Sequence, residues 1–184
     1  MTVVVVVSSP RRNGFGEAIA SRMVDGIKAA GRDVKVYHLN DMRSFRPCQS
    51  CDACKNNDGR CVLKDDLSPL IDDVRDAEGI VHVASIRFND TDGMFKTYFD
   101  RFYCFLDASA STIMPKGKKV ATVVTASADE TAAEKVSVEL EKVMAQHFFC
   151  DPVGRLTYCT WMLPPGEFAD DSVLDKAEEI GRLF

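Results

Sequence analysis

The chain has 184 residues, 46% apolar and 28% charged, with a formal charge of −5. That length suits one well-buried domain, residues 1–184, and the negative balance excludes an electrostatic nucleic-acid binder, which needs Lys and Arg gathered on one face. Residues 1–7 hold neither a charged leader nor a long apolar core, so no signal peptide and no membrane span is expected, and the chain is placed in the cytoplasm.

Residues 3–7 are five consecutive valines. A β-branched run without alternation predicts a strand covered on both faces of a parallel sheet. Over 17–30 the apolar residues Ala18, Ile19, Met23, Ile27 and Ala30 have helical spacing, and Gly31 stops the run. A strand over 34–37 leads into a cysteine-rich loop, 47–66. A helix over 66–75 follows, with Ser68-Pro69 in its first turn. Further strands are expected at 79–84, 119–125 and 155–161, and further helices at 93–106, 129–148 and 172–184. This alternation implies parallel crossovers and a doubly wound α/β domain. Its binding crevice should lie beyond the carboxyl ends of the strands, where chain order reverses.

Ser8-Ser9-Pro10-Arg11-Arg12-Asn13-Gly14-Phe15-Gly16 joins the first strand to the first helix. A helix amino terminus offers unpaired N–H groups and a partial positive charge to an anion. Ser9 and Asn13 add donors, and Arg11 or Arg12 a charged fork. No Gly-Lys-Ser/Thr follows, and residues 14–19 lack the third glycine of a dinucleotide fingerprint, so a monophosphate is the better match. A polar turn that only caps the helix is the plainer alternative.

Cys48, Cys51, Cys54 and Cys61 form C-x2-C-x2-C-x6-C. Three close thiolates and a fourth a short loop away can each meet a different iron of a cubane cluster, with Gly59 allowing the return turn. Structural zinc, which favours two separated pairs, fits less well, and free or reversibly oxidised thiols are the third reading. Cys104, Cys150 and Cys159 read as buried small hydrophobes and His82 as a core residue. Phe95, Tyr98, Phe99, Phe102 and Tyr103 have the helical spacing of core or subunit packing.

On the first loop, the cysteine loop through Asp65-Asp66, Gly93-Met94-Phe95-Lys96 and Asp100-Arg101, the chain resembles the flavodoxin-like, NAD(P)H-dependent FMN reductases over residues 2–125. Within that group it is most similar to the iron-sulfur flavoproteins. The resemblance implies a five-stranded sheet in the order 2-1-3-4-5 and a non-covalently bound FMN. The FMN phosphate would lie against Ser9, Arg11, Asn13 and the backbone of Gly14, Phe15 and Gly16, and its ring against Ser85, Ile86, Arg87 and Phe88. A [4Fe-4S] cluster on Cys48, Cys51, Cys54 and Cys61 is implied as well. So are NAD(P)H or another reduced carrier as donor, a small-molecule or protein acceptor, and a homodimer or homotetramer.

Three departures from the family pattern matter. Ser8 stands for a usual glycine, Gly16 for a usual threonine, and Val83-Ala84-Ser85-Ile86-Arg87-Phe88 for a usual Gly-Ser-Pro-Val-Tyr-Phe. One hydroxyl contact to phosphate is then missing or supplied by water. A second reading follows: a flavodoxin-like module that has lost FMN and serves as a metal- or thiol-based binding or sensor protein. Arg87 is the expected catalytic residue, its guanidinium stabilising the reduced flavin. The alternative is a surface charge paired with Asp90 or Asp92. Residues 161–165 are expected to shape the acceptor side or a subunit contact.

Overall fold

The five-valine run forms the middle of a sheet. In the computed structural model, which describes residues 2–127, 130–160, 163–164, 167–168 and 171–184, β1 (Thr2–Val7) pairs in parallel with β2 (Asp33–His38) on one side and β3 (Gly79–Arg87) on the other. A two-residue strand, β4 (Asp90–Thr91), folds back antiparallel on the end of β3. β5 (Lys119–Ala126) then pairs with β3, and β6 (Asp151–Cys159) with β5. The long strands therefore run β2-β1-β3-β5-β6, the expected 2-1-3-4-5 path with a small hairpin added.

Both faces of β1 are buried because helices cover each. Val3, Val5 and Val7 join a core with α1 (Phe15–Ala29) and α5 (Ser172–Gly181), while Val4 and Val6 join another with α2 (Leu67–Asp76), α3 (Gly93–Asp100) and α4 (Glu130–Gln146). Helices α1 and α5 meet through glycines. A Cβ on Gly26 would come to 2.1 Å from the Glu178 carbonyl oxygen, and one on Gly181 to 2.3 Å from that of Met23. Any larger residue at either place would push the helices apart.

Several elements differ from expectation, and β3 runs past residue 84 to Arg87 while α5 stops at Gly181. The helix expected over 93–106 stops at Asp100 and tightens into a 3₁₀ segment, Arg101–Phe105, where Arg101 turns inward to Asp65. Strand β6 begins at Asp151, four residues early. It is the edge strand, where the missing N–H of Pro152 costs no ladder bond, and a register shift between Val120 and Ala121 accommodates Val153. The expected helix start at 129, the strand end at 161 and most of the 161–165 stretch lie outside the described residues.

The aromatic residues divide between core and surface. Phe95, Tyr98 and Phe102 are buried and pack around His82, whereas Tyr103 is 40% exposed. The His82 ring is fully buried, its Nε2 lies 3.2 Å from the Tyr98 hydroxyl, and burial drives its pKa down to about 3. It is therefore neutral in the folded chain, whereas an unfolded chain protonates it below an ordinary value near 6.5. Between those limits the unfolded state binds the extra proton, so this histidine costs stability as pH falls, at up to about 1.4 kcal/mol per pH unit. Between pH 7 and pH 5 the native protein should lose about 2 kcal/mol more than a His82→Gln variant does. Urea unfolding at the two pH values measures the difference, and equal losses would mean that His82 is not held neutral.

Candidate functional site

A crevice of about 420 Å³ opens beyond the carboxyl ends of β1, β3 and β5, beside the reversal of strand order. Ser9, Arg11, Gly14, Phe15 and Gly16 line it from the first loop, Ser85, Ile86, Arg87 and Phe88 from the end of β3, and Thr125 and Thr160 from beyond. Of the expected cofactor residues only Asn13, which is exposed, is not among the lining. A larger hollow of about 760 Å³ lies at the opposite ends of the strands. Its Lys118 and Lys119 are spent on the backbone carbonyls of Arg75 and Leu183, at 3.2 and 2.6 Å, and a doubly wound sheet does not present ligands at that end.

The first loop leaves the start of α1 open. Gly14 holds the cap position and supplies no side-chain cap, and with Phe15 and Gly16 it brings the start of α1 to the crevice wall. Arg12 turns away to pair with Asp41, which leaves Arg11 as the arginine that the first loop brings to the crevice. At Gly16 a Cβ would sit 3.7 Å from the Thr125 Oγ1. The hydroxyl missing at residue 16 thus has a stand-in from β5, one that position alone, at the carboxyl end of a parallel strand, could have flagged.

The Ser8 departure also has a partner. Its hydroxyl, fully buried, donates to Asp92 Oδ2, which further accepts from the Ser85 hydroxyl at 3.0 Å and the Ser85 N–H at 3.3 Å. The other oxygen, Oδ1, accepts from Met94 N and Phe95 N at 3.1 and 3.0 Å and caps α3.

The altered stretch, expected as a loop beyond residue 84, instead continues β3 to Arg87 and enters a two-residue hairpin turn at Phe88. Phe88 and Asn89 both take left-handed backbone angles, φ 51° and 63°, between the pairs Arg87–Asp90 and Ile86–Thr91. For phenylalanine that conformation costs about 1–2 kcal/mol, and the ring is wholly exposed at the crevice mouth. Arg87 pairs with neither Asp90 nor Asp92 among the described residues. Its Nη1 donates to the Ile86 carbonyl at 2.7 Å, and the side chain lines the crevice.

Cys48, Cys51, Cys54 and Cys61 line one small cavity of about 20 Å³, together with Arg101, Tyr103 and a fifth thiol, Cys104. Among the described residues no three His, Cys, Asp or Glu side chains converge on a point for a single ion. Burial pushes the Cys54 thiol up, with Lys55 opposing and Cys61 and Cys48 adding. Burial likewise lifts Cys104 to about 12. The loop is pinned from outside. Asp66 Oδ2 accepts from Arg43 N and Ser44 N at 2.7 and 2.8 Å, which hold its carboxyl below the usual range. Lys55 Nζ donates to the carbonyls of Tyr103 and Leu106 at 2.8 and 2.5 Å. Three non-glycine residues in the loop, Ser50, Asp52 and Asp58, are left-handed, and Gly59 (φ 69°) turns where a Cβ would strike Ile113 at 2.1 Å. The cavity and the crevice share no lining residue.

The family model described as NADPH-dependent FMN reductase matches residues 1–158. Among curated proteins, an iron-sulfur flavoprotein of Methanosarcina thermophila is 27% identical over 101 residues, 55% of this chain and 52% of that protein. One of Archaeoglobus fulgidus is 24% identical over 74% of this chain and 67% of that protein. The chain spans about half the length of the first of these relatives. Among solved structures, an NAD(P)H:quinone oxidoreductase from Methanothermobacter marburgensis superposes with a TM-score of 0.63 at 18% identity, covering 99% of this chain and 96% of that one. An FMN-dependent NADH-azoreductase from Bacillus anthracis, solved with FMN, reaches 0.70 at 12% identity, covering 100% and 97%. A flavodoxin from the domain Archaea gives 0.58 at 20%, covering 99% and 94%. These likenesses establish a flavodoxin-like fold, and the family match over residues 1–158 makes the chain a member of the NADPH-dependent FMN reductase family.

Proposed function

We propose that this protein binds FMN in the crevice beyond β1, β3 and β5 and works as a flavin-dependent oxidoreductase. It would take electrons from NAD(P)H or another reduced carrier and pass them to a small-molecule or protein acceptor, in the cytoplasm and as a homodimer or homotetramer. The observation that carries this reading is the convergence, at the reversal of strand order, of an uncapped helix start, Arg11, Ser9 and the Thr125 hydroxyl. That set meets a phosphate with N–H, O–H and guanidinium donors.

Bound FMN would supply reversible two-electron chemistry. The residues of the chain bind and orient it. Ser9, Arg11 and Thr125 hold the phosphate, Asn13 stands beside it, and Gly14, Phe15 and Gly16 contribute backbone. Ser85, Ile86 and Phe88 border the ring, with Phe88 held out at the mouth by its hairpin turn. Arg87 supplies positive charge beside the ring and favours its reduced, anionic form.

The four-cysteine loop suits a [4Fe-4S] cluster better than zinc. Four thiols line one cavity, and their C-x2-C-x2-C-x6-C spacing can give one thiolate to each iron of a cubane. Left-handed residues clustered between the thiols are the strain expected of a ligand-holding loop. Cys51, which is exposed, marks where the cavity would open to admit the group.

The test is the visible spectrum of protein purified without oxygen. Two flavin bands, in the near-ultraviolet and the blue, are expected, with a broad shoulder that dithionite bleaches. Cys51→Ala should lose the shoulder and keep the bands. A spectrum without flavin bands would return the reading to a sensor module without FMN. For Arg87→Ala the flavin's reduction equilibrium should fall roughly tenfold, about 30 mV for a two-electron couple. An unchanged potential would reduce Arg87 to a surface charge.

A further inference from the structure

One buried cation is unexplained by the fold. Arg101 is 1% exposed, and only its Nη1 is engaged, donating to Asp65 Oδ2 at 2.7 Å and to the Arg46 carbonyl at 3.2 Å. Its Nε and Nη2 are buried and have no hydrogen-bond partner among the described residues. A guanidinium stays charged throughout the working pH range, and each buried donor left unpaired costs about 1–3 kcal/mol. A role confined to holding Asp65 would be met by a two-pronged pair, which would satisfy the donors that stand idle here.

The same side chain lines the small cavity with Cys48, Cys51, Cys54, Cys61 and Cys104. Among the cations of this loop, Lys55 is spent on the Tyr103 and Leu106 carbonyls and Arg60 on Asp72, and neither lines the cavity. Arg101 therefore brings both a buried positive charge and spare donors to the wall of the thiol cavity. Asp65 is itself anchored by the N–H groups of Arg46 and Leu67, at 3.1 and 3.2 Å, which fixes where the guanidinium sits.

We propose that Arg101 is the hydrogen-bond donor and fixed counter-charge of the iron-sulfur cluster, its free Nε and Nη2 groups serving the sulfur side of that anionic group. The inference rests on the cluster reading above. A cubane on four thiolates is an anion and gains one further negative charge on reduction. A fixed cation in a poorly solvated wall stabilises the more negative state more strongly, and hydrogen bonds to sulfur act in the same direction. The idle donors of Arg101 are then the place the protein keeps for its cofactor, and Asp65 sets how much of the positive charge the cofactor feels.

The test is a redox titration of the full chain, purified without oxygen and reconstituted with iron and sulfide, following the cluster by low-temperature EPR and the flavin by absorbance. Arg101→Met should lower the cluster's reduction equilibrium tenfold or more, 59 mV for one electron, and leave the flavin potential in place. Arg101→Lys, which keeps the charge without the fork, should recover at least half of that shift. Asp65→Asn keeps the cation and removes its anion, so it should shift the cluster potential upward. A folded Arg101→Met chain with full iron and an unshifted cluster potential overturns the proposal. An Asp65→Asn chain whose cluster potential stays or falls overturns it equally, and that result stands even if Arg101→Met fails to fold. Wild-type protein that binds FMN and takes up no iron would instead overturn the cluster reading, and this inference with it.

Discussion

The carboxylate of Asp92 is the interaction on which the crevice depends. It is 6% exposed and has no cationic partner among the described residues. It is held instead by the hydroxyls of Ser8 and Ser85 and by the N–H groups of Ser85, Met94 and Phe95. A buried charge is tolerable only when its lone pairs are taken up in this way. The contact joins the end of β1, the end of β3 and the start of α3 at one point. The first loop leaves β1 at Ser8, and the Arg87–Asp90 turn leaves β3 two residues beyond Ser85. Their separation across the crevice is therefore set by one side chain, with each charged hydrogen bond contributing about 1.5–3 kcal/mol.

The cysteine loop is built on the same logic with two carboxylates. Asp66 takes the Arg43 and Ser44 N–H groups, and Asp65 takes Arg46 N and Arg101, so the chain entering the loop is fixed before the first thiol. Strain inside the loop is offset by this anchoring outside it. The outcome is a polar crevice and a small thiol-lined cavity on one domain, with separate walls.

Much of this was legible in the sequence, for identifiable reasons. The five valines required a strand covered on both sides, and the alternation of short apolar runs with helical spacings required a parallel sheet with its crevice beyond the strand ends, whereas the strand order came from the resemblance to the flavodoxin-like reductases. The first loop and the four thiols could be named because their chemistry lies in contiguous residues. What escaped was long-range. Ser8 reads as a departure from glycine until Asp92 is found 84 residues away, and Gly16 as a lost hydroxyl until Thr125 is found beside it. Cys104 is the buried core residue expected, yet it and Arg101 also line the thiol cavity, and only the inward 3₁₀ turn after Asp100 brings both there. The early start of β6 was hidden by Pro152, which would have been excluded from any strand but one at an edge.

The central claim is that the crevice is a flavin site whose two loops are held in register by Asp92. It is tested most directly by titrating FMN into apoprotein and following the quenching of its fluorescence, in wild type and in Asp92→Asn. The account predicts saturable binding at one FMN per chain in wild type. It also predicts an affinity weaker by roughly tenfold or more in the variant, about 1.4 kcal/mol, although Asp92 is not among the residues lining the crevice. Equal affinity in a folded variant would contradict the role of Asp92, and the absence of any saturable FMN binding in wild type would contradict the flavin site itself.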